Sequence, residues 1–122
     1  MSKYDLPVPV HFDPKKVTEI WQVPYQQLAL TASEWAKRHS IQPAAMDKFR
    51  ICLMAIDCQN TFCLPTGELS VAGADKDNVR LCEFIYKNMR VITNIAPTMD
   101  THTAMHRQIR VLVNRMELMK QF

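Results

Sequence analysis

Long apolar runs are missing from this chain. None of its stretches is long enough to cross a bilayer as a helix. Charge of a single sign is also scarce: fifteen basic side chains face twelve acidic ones, for a net charge of +3. There is no long basic run, so nucleic acid is not an expected partner. The opening residues, MSKYDLPVPV, lack the charged-then-apolar plan of a secretion signal. These absences lead to the expectation of a cytoplasmic protein that binds neither nucleic acid nor membrane. Glycine occurs only twice, at Gly67 and Gly73, and both fall within one stretch, LPTGELSVAGAD. That stretch reads as a loop with special backbone needs. The four cysteines do not make a disulfide framework at this length, and reduced thiols are the simpler reading. Cys52 is expected to be buried on a strand and Cys82 to lie on a helix. Cys58 and Cys63 have no second cysteine pair to complete a zinc site.

What is present is enough for one small domain, at 122 residues with 48% apolar and 22% charged content. Residues 1–14 contain Pro7, Pro9 and Pro14 and read as an extended arm. Residues 17–23 read as a short strand or strap, limited by Pro24. A helix is expected over 31–40, capped by Ser33, with Lys37, Arg38 and His39 near its end. A turn or short helix starts at Pro43. His11 and His39 have no ligand partners nearby in sequence and read as surface histidines. The whole segment 1–48 reads as an extension packing on a sheet, or as a cap or oligomer arm.

The chain is organised around FRICLMAIDCQNTF, residues 49–62. Its apolar run ends abruptly at Asp57, the pattern of a strand buried on both faces of a parallel sheet. In open α/β sheets the ligand crevice lies beyond the carboxyl ends of the strands. Asp57 is therefore a working group or a satisfied loop residue. Residues 75–89 form the best helix, with Val79, Cys82, Phe84 or Ile85, and Met89 on one apolar stripe. Asp75 and Asp77 in its first turn suit the macrodipole. Residues 91–96 read as a second strand, closing in Thr98-Met99-Asp100-Thr101-His102. A strand–helix–strand crossover sends Asp57 and the 100–102 segment to one sheet edge. Asp100 and His102, two apart, point the same way in an extended segment. A carboxylate with an imidazole suits a divalent metal. The alternative is that Asp100 caps a turn and His102 faces solvent.

Three motifs in order carry a resemblance: AIDxQNxF, then GxLxVxGA, then DxH after a helix and a strand. Over residues 50–105 the chain resembles the nicotinamidase/isochorismatase-like cysteine hydrolases. The resemblance implies an α/β fold whose parallel sheet lies in three layers, here partial and incomplete at the C-terminus. It implies hydrolysis of a small amide C–N bond, nicotinamide to nicotinate being the leading candidate. It assigns Asp57 as the catalytic aspartate and Gln59 and Phe62 as substrate-lining residues. It gives Asp100 and His102 as ligands of a divalent metal such as zinc, manganese or iron. A third metal histidine is expected shortly afterwards; His106 stands near that place, just beyond the end of the match. The family's nucleophilic cysteine and its lysine have no counterpart here. Cys58 and Cys63 are in the wrong place, and Lys120 sits in the divergent tail. The expectation is a truncated family member, inactive alone. The alternative is a non-catalytic binding or assembly module of the same origin, with homo-oligomerisation open.

The organisation expected is thus an extension over 1–48, the start of a hydrolase domain over 49–105 and a divergent tail over 106–122. In that tail Ile109, Leu112, Val113, Met116 and Met119 recur at helical spacing among Arg107, Arg110, Arg115 and Lys120. The alternation of Ile109, Val111 and Val113 also permits a strand. An end helix packed on the domain is the simpler reading, a membrane-surface or partner helix the other. A sheet of two or three strands is expected to expose a large apolar face.

Overall fold

The computed structural model describes residues 5–101. Helix α1 (Pro14–Val17) opens the ordered elements. Asp13 caps it, its carboxylate accepting from the Lys15 N–H at 3.0 Å, and Pro14 supplies the fixed φ of a first helical position. No strand forms over 17–23. The helical turn continues instead into a bend, where the Thr18 hydroxyl donates to the Lys15 carbonyl at 2.9 Å and Lys16 pairs with Glu19 at 2.8 Å.

Helix α2 (Tyr25–Arg38) starts six residues earlier than the sequence suggested, with Pro24 rather than Ser33 at its N-cap. Residues 26–30, QQLAL, are good helix formers. The Thr31 hydroxyl folds back onto the Gln27 carbonyl at 3.0 Å, so this residue does not break the helix. The basic end was read correctly, with Lys37 and Arg38 in the last turn. A 3₁₀ turn (Ala44–Met46) follows Pro43 as expected.

Strand β1 (Cys52–Ala55) pairs in parallel with β2 (Asn94–Pro97), in the register Cys52 with Asn94 through Ala55 with Pro97. Between them come the short helix α3 (Asn60–Cys63) and the crossover helix α4 (Ala74–Lys87). The chain is therefore mixed helix and strand, with a two-stranded parallel sheet. Thr93 ties the amino end of the sheet: its hydroxyl donates to Asp47 at 2.7 Å and accepts from the Ile51 N–H at 3.1 Å.

The core is thin. Among the described residues, Leu6, Trp35, Ala55, Cys63, Leu64 and Ile92 are its buried apolar members. On α4, Val79, Cys82, Ile85 and Met89 are half-buried while Phe84 is exposed, which settles the stripe on Ile85. The strand is not buried on both faces, and Cys52 is exposed rather than buried. Each strand has a single neighbour, so nothing described covers the side of β1 that carries Cys52 and Met54.

The end of the N-terminal segment, from Ile41 to Asp47, lies beside Thr93, Asn94 and Ile95 at the start of β2. Its earlier part packs on α4, and Tyr86 is the anchor. Phe12 and Trp35 meet the Tyr86 ring at centroid distances of 5.5 and 5.9 Å. The Leu6 N–H donates to the Lys87 carbonyl at 3.0 Å. The histidines expected at the surface are half-buried in this layer. His11 meets Tyr86 edge-on at 5.9 Å, and His39 lies on Trp35 at 5.0 Å. Aromatic pairs of this kind favour edge and tilted geometries because the ring edges are positive and the faces negative.

Candidate functional site

The parallel register delivers the carboxyl ends of both strands to one edge, and Asp57 and Asp100 stand there. Asp57 follows β1 directly and adopts a left-handed backbone, φ 55°. Aspartate tolerates that region better than most residues. The conformation turns the chain sharply away from the strand. Two polar side chains then lock the edge.

Thr98 is the first lock. Its own N–H donates to the Ala55 carbonyl at 2.9 Å, extending the ladder past β2. Its hydroxyl accepts from the Asp57 N–H at 3.1 Å and donates to the Asp57 Oδ1 at 3.3 Å. The strained residue is thereby held at backbone and carboxylate together. Gln59 is the second lock. This residue is buried. Its Nε2 donates to the Asp100 carbonyl at 3.1 Å and its Oε1 accepts from the Asp100 N–H at 2.8 Å. A side-chain amide thus copies a strand partner and holds the 100-segment beside the loop after β1.

Gly67 and Gly73 shape the loop. A Cβ on Gly67 would sit 2.4 Å from the Thr61 carbonyl oxygen and 2.5 Å from that of Asn60, so only glycine lets this loop lie on α3. Thr61 is itself fully buried, and its carbonyl accepts from the Leu69 N–H at 3.2 Å. Gly73 takes φ 84° at the N-cap of α4. Both special positions fall in the stretch where the sequence placed them.

Between this loop and the start of α4 lies an open cavity of about 400 Å³, lined by Asp57, Cys58, Phe62, Cys63, Val71 and Asp77 among others. Asp57 and Phe62 are thus brought together. Gln59 is not on this wall; both ends of its amide are engaged with Asp100. Asp77 is paired with Arg80 on α4. Among the described residues the lining holds two thiols and no lysine. Cys63 donates to the Asp57 carbonyl and Cys58 to the Ile56 carbonyl, each at 3.7 Å. Burial, then Cys63, then Asp57 push the Cys58 thiol above its ordinary pKa. Cys82 is raised likewise, first by burial and then by Cys58 and Glu83. Cys58 is therefore a protonated thiol at neutral pH, the opposite of an activated nucleophile.

The metal ligands are divided. Asp100 is positioned at the edge, whereas His102 and His106 lie outside the described residues, as does the tail over 106–122. Among the described residues no group of three or more His, Cys, Asp and Glu side chains converges as a metal site. No described helix is long and apolar enough to cross a membrane. Thr98 is the site residue that the sequence reading missed. The register contained the signal: with Ala55 opposite Pro97, the residue after Pro97 falls beside the turn at Asp57. No family model, curated protein or solved structure matches the chain.

Proposed function

We propose that residues 49–105 form the beginning of a nicotinamidase-like hydrolase domain on the isochorismatase-like plan, and that the sheet edge is its substrate end. The observation that supports this most is the double tie across the edge. Thr98 binds Asp57, and Gln59 binds Asp100. The acid/base carboxylate and the metal-ligand segment of the resemblance thus share one place.

In this reading Asp57 is the carboxylate that would serve a reacting thiol, which this chain does not supply, and Phe62 forms an apolar wall for a small ring. By residue type, Asp100, His102 and His106 would supply one carboxylate and two imidazoles, donors that fit zinc, manganese or iron. A metal held there would supply an anchor for a pyridine-type substrate. Gln59 orients Asp100 from behind, a supporting role comparable to the outer-shell bonds of metal sites. The substrate is a small amide, nicotinamide first. No residue of the chain matches the family's nucleophile or its lysine, and Cys58 is held protonated. The 122-residue chain by itself therefore binds without hydrolysing.

The test is a pair of assays on the full chain with manganese or zinc present. Nicotinamide binding followed by calorimetry is expected to depend on the metal and to disappear in Asp100→Asn. Nicotinate production is expected to be absent. Metal-dependent hydrolysis by the purified chain would overturn the claim that it lacks a nucleophile.

A second reading is a non-catalytic assembly module. The observation in its favour is the exposure of Met54 at 60% and Ile56 at 66% on and beside the sheet. A discrete oligomer on a sizing column, together with no nicotinamide binding, would select this reading.

A further inference from the structure

We propose that Asp47 and Arg90, at the amino end of the sheet, form a binding site for a small zwitterion with an apolar side chain, that is, an aliphatic α-amino acid. This end lies opposite the Asp57 edge, so the proposal does not depend on the enzymatic reading.

Two cavities open at the amino end. The larger, of about 390 Å³, is lined by Ile41, Asp47, Met89, Arg90, Ile92 and Ile95 among others. The smaller, of about 210 Å³, adds Lys48 and Phe49. Asp47 and Arg90 are the two residues common to both. Each is half-buried, and their charges are opposite, yet they do not pair with each other. Among the described residues the ion pairs are Lys16–Glu19 and Asp77–Arg80. Asp47 is held in place through Oδ2, which accepts from the Thr93 hydroxyl at 2.7 Å, and this leaves Oδ1. Among the described residues nothing engages the Arg90 guanidinium.

A half-buried charge gives up hydration, and a partner restores what is lost. A ligand with both charges partners both groups at once. Its carboxylate meets the Arg90 fork, whose planar donors match a carboxylate two bonds at a time. Its ammonium meets Asp47 Oδ1. A simple anion leaves Asp47 facing the same space unpaired, and a simple cation does the same to Arg90. Lys48 puts a second positive charge on the smaller cavity, which places the carboxylate on that side. The larger cavity then takes the side chain. Its apolar walls are Ile41, Met89, Ile92 and Ile95, which suit an aliphatic group. Its volume falls in the range of roughly 300–1,000 Å³ usual for small-molecule sites.

Calorimetry on the full chain tests this with L-leucine and two half-ligands. Isocaproate lacks the ammonium, and isoamylamine lacks the carboxylate. Leucine is expected to bind saturably with a Kd on the order of 1 mM. Each half-ligand is expected to bind at least about tenfold more weakly. Arg90→Gln and Asp47→Asn should each weaken leucine by at least about tenfold. Asp47→Asn keeps an acceptor for the Thr93 hydroxyl, so it removes the charge while leaving that tie. Arg80→Gln, at an exposed arginine of α4, should leave binding unchanged. A half-ligand that binds as tightly as leucine overturns the proposal. So does leucine that fails to saturate at about ten times the expected Kd, or leucine binding that either charge-removing variant leaves unchanged. If a variant loses its cooperative unfolding transition, the three ligands on the natural chain decide. Leucine binding above both half-ligands then supports the proposal, and equal or absent binding ends it.

Discussion

Two regions of this small molecule are held together by different physics. The carboxyl edge of the sheet is tied by directional bonds: Thr98 to Asp57, and Gln59 to both backbone groups of Asp100. The N-terminal layer is tied by rings on Tyr86, with one backbone bond from Leu6. Directional bonds fix positions to a fraction of an ångström but add modest net stability. Ring burial adds more stability and tolerates small displacements. A site needs the first kind of restraint, and a thin core needs the second. The chain places them on different segments, so they can be broken separately.

The largest effect is expected in the layer. Trp35→Ala removes a buried ring that packs on Tyr86 and His39, and should cost about 3–5 kcal/mol by denaturant unfolding. The hydrogen bonds at the edge should survive in the fraction that stays folded. A result near zero would mean that the layer contributes little to the fold.

Next is the loop. Gly67→Ala forces a Cβ into the Thr61 and Asn60 carbonyl oxygens, and should cost about 1–3 kcal/mol. Because both obstacles are backbone, the strain passes to α3 and so to Phe62 in the cavity wall. Unchanged stability would show that the loop does not rest on α3 as described.

Gln59→Leu tests the lock itself. It keeps the volume but removes both bonds to Asp100, and should cost about 1–3 kcal/mol by leaving polar backbone without its partner. The accompanying signature is faster amide exchange at Asp100, with the Leu6 amide unchanged. If both amides exchange faster, the two regions are coupled and the comparison fails.

The smallest effect is in pH. Burial raises Cys58, Cys82 and Tyr86 above their ordinary pKa values. In each the folded state holds its proton more tightly than the unfolded chain does. The resulting stability is complete below the ordinary pKa values of about 8.5 for a thiol and about 10 for a phenol. It is lost as pH rises through the higher folded values. Unfolding midpoints should therefore fall on the alkaline side of neutrality, and Cys82→Ser should flatten part of that decline. A midpoint that rises with alkaline pH would contradict the assignment.

The edge was largely legible in the sequence because its signals are local. The apolar run stopping at Asp57, the paired glycines and the second strand all depend on near neighbours, and the parallel register follows from the helix between the strands. Burial was not legible. Cys52 sits in a run that reads as fully buried, yet whether a strand is covered depends on how many neighbours the sheet has. The burial of two histidines in the N-terminal layer was missed for the same reason. His11 and His39 look like surface histidines until Tyr86 and Trp35, distant or unremarkable in sequence, come to lie against them. Helix α2 was placed too late because Ser33 imitates a cap, while Pro24 starts the helix without a side-chain bond. Gln59 and Phe62 share one motif and one helical turn, yet their side chains do different things: Phe62 lines the cavity and Gln59 ties the second strand's end.

The measurement that tests the proposed site most directly is a manganese titration of the full chain by calorimetry, repeated on His102→Ala and Gln59→Leu. One saturable ion per chain is expected, lost in His102→Ala and weakened about 10–100-fold in Gln59→Leu, where only the support of Asp100 is removed. No saturable binding, or a curve that His102→Ala leaves unchanged, would contradict a metal site on this edge.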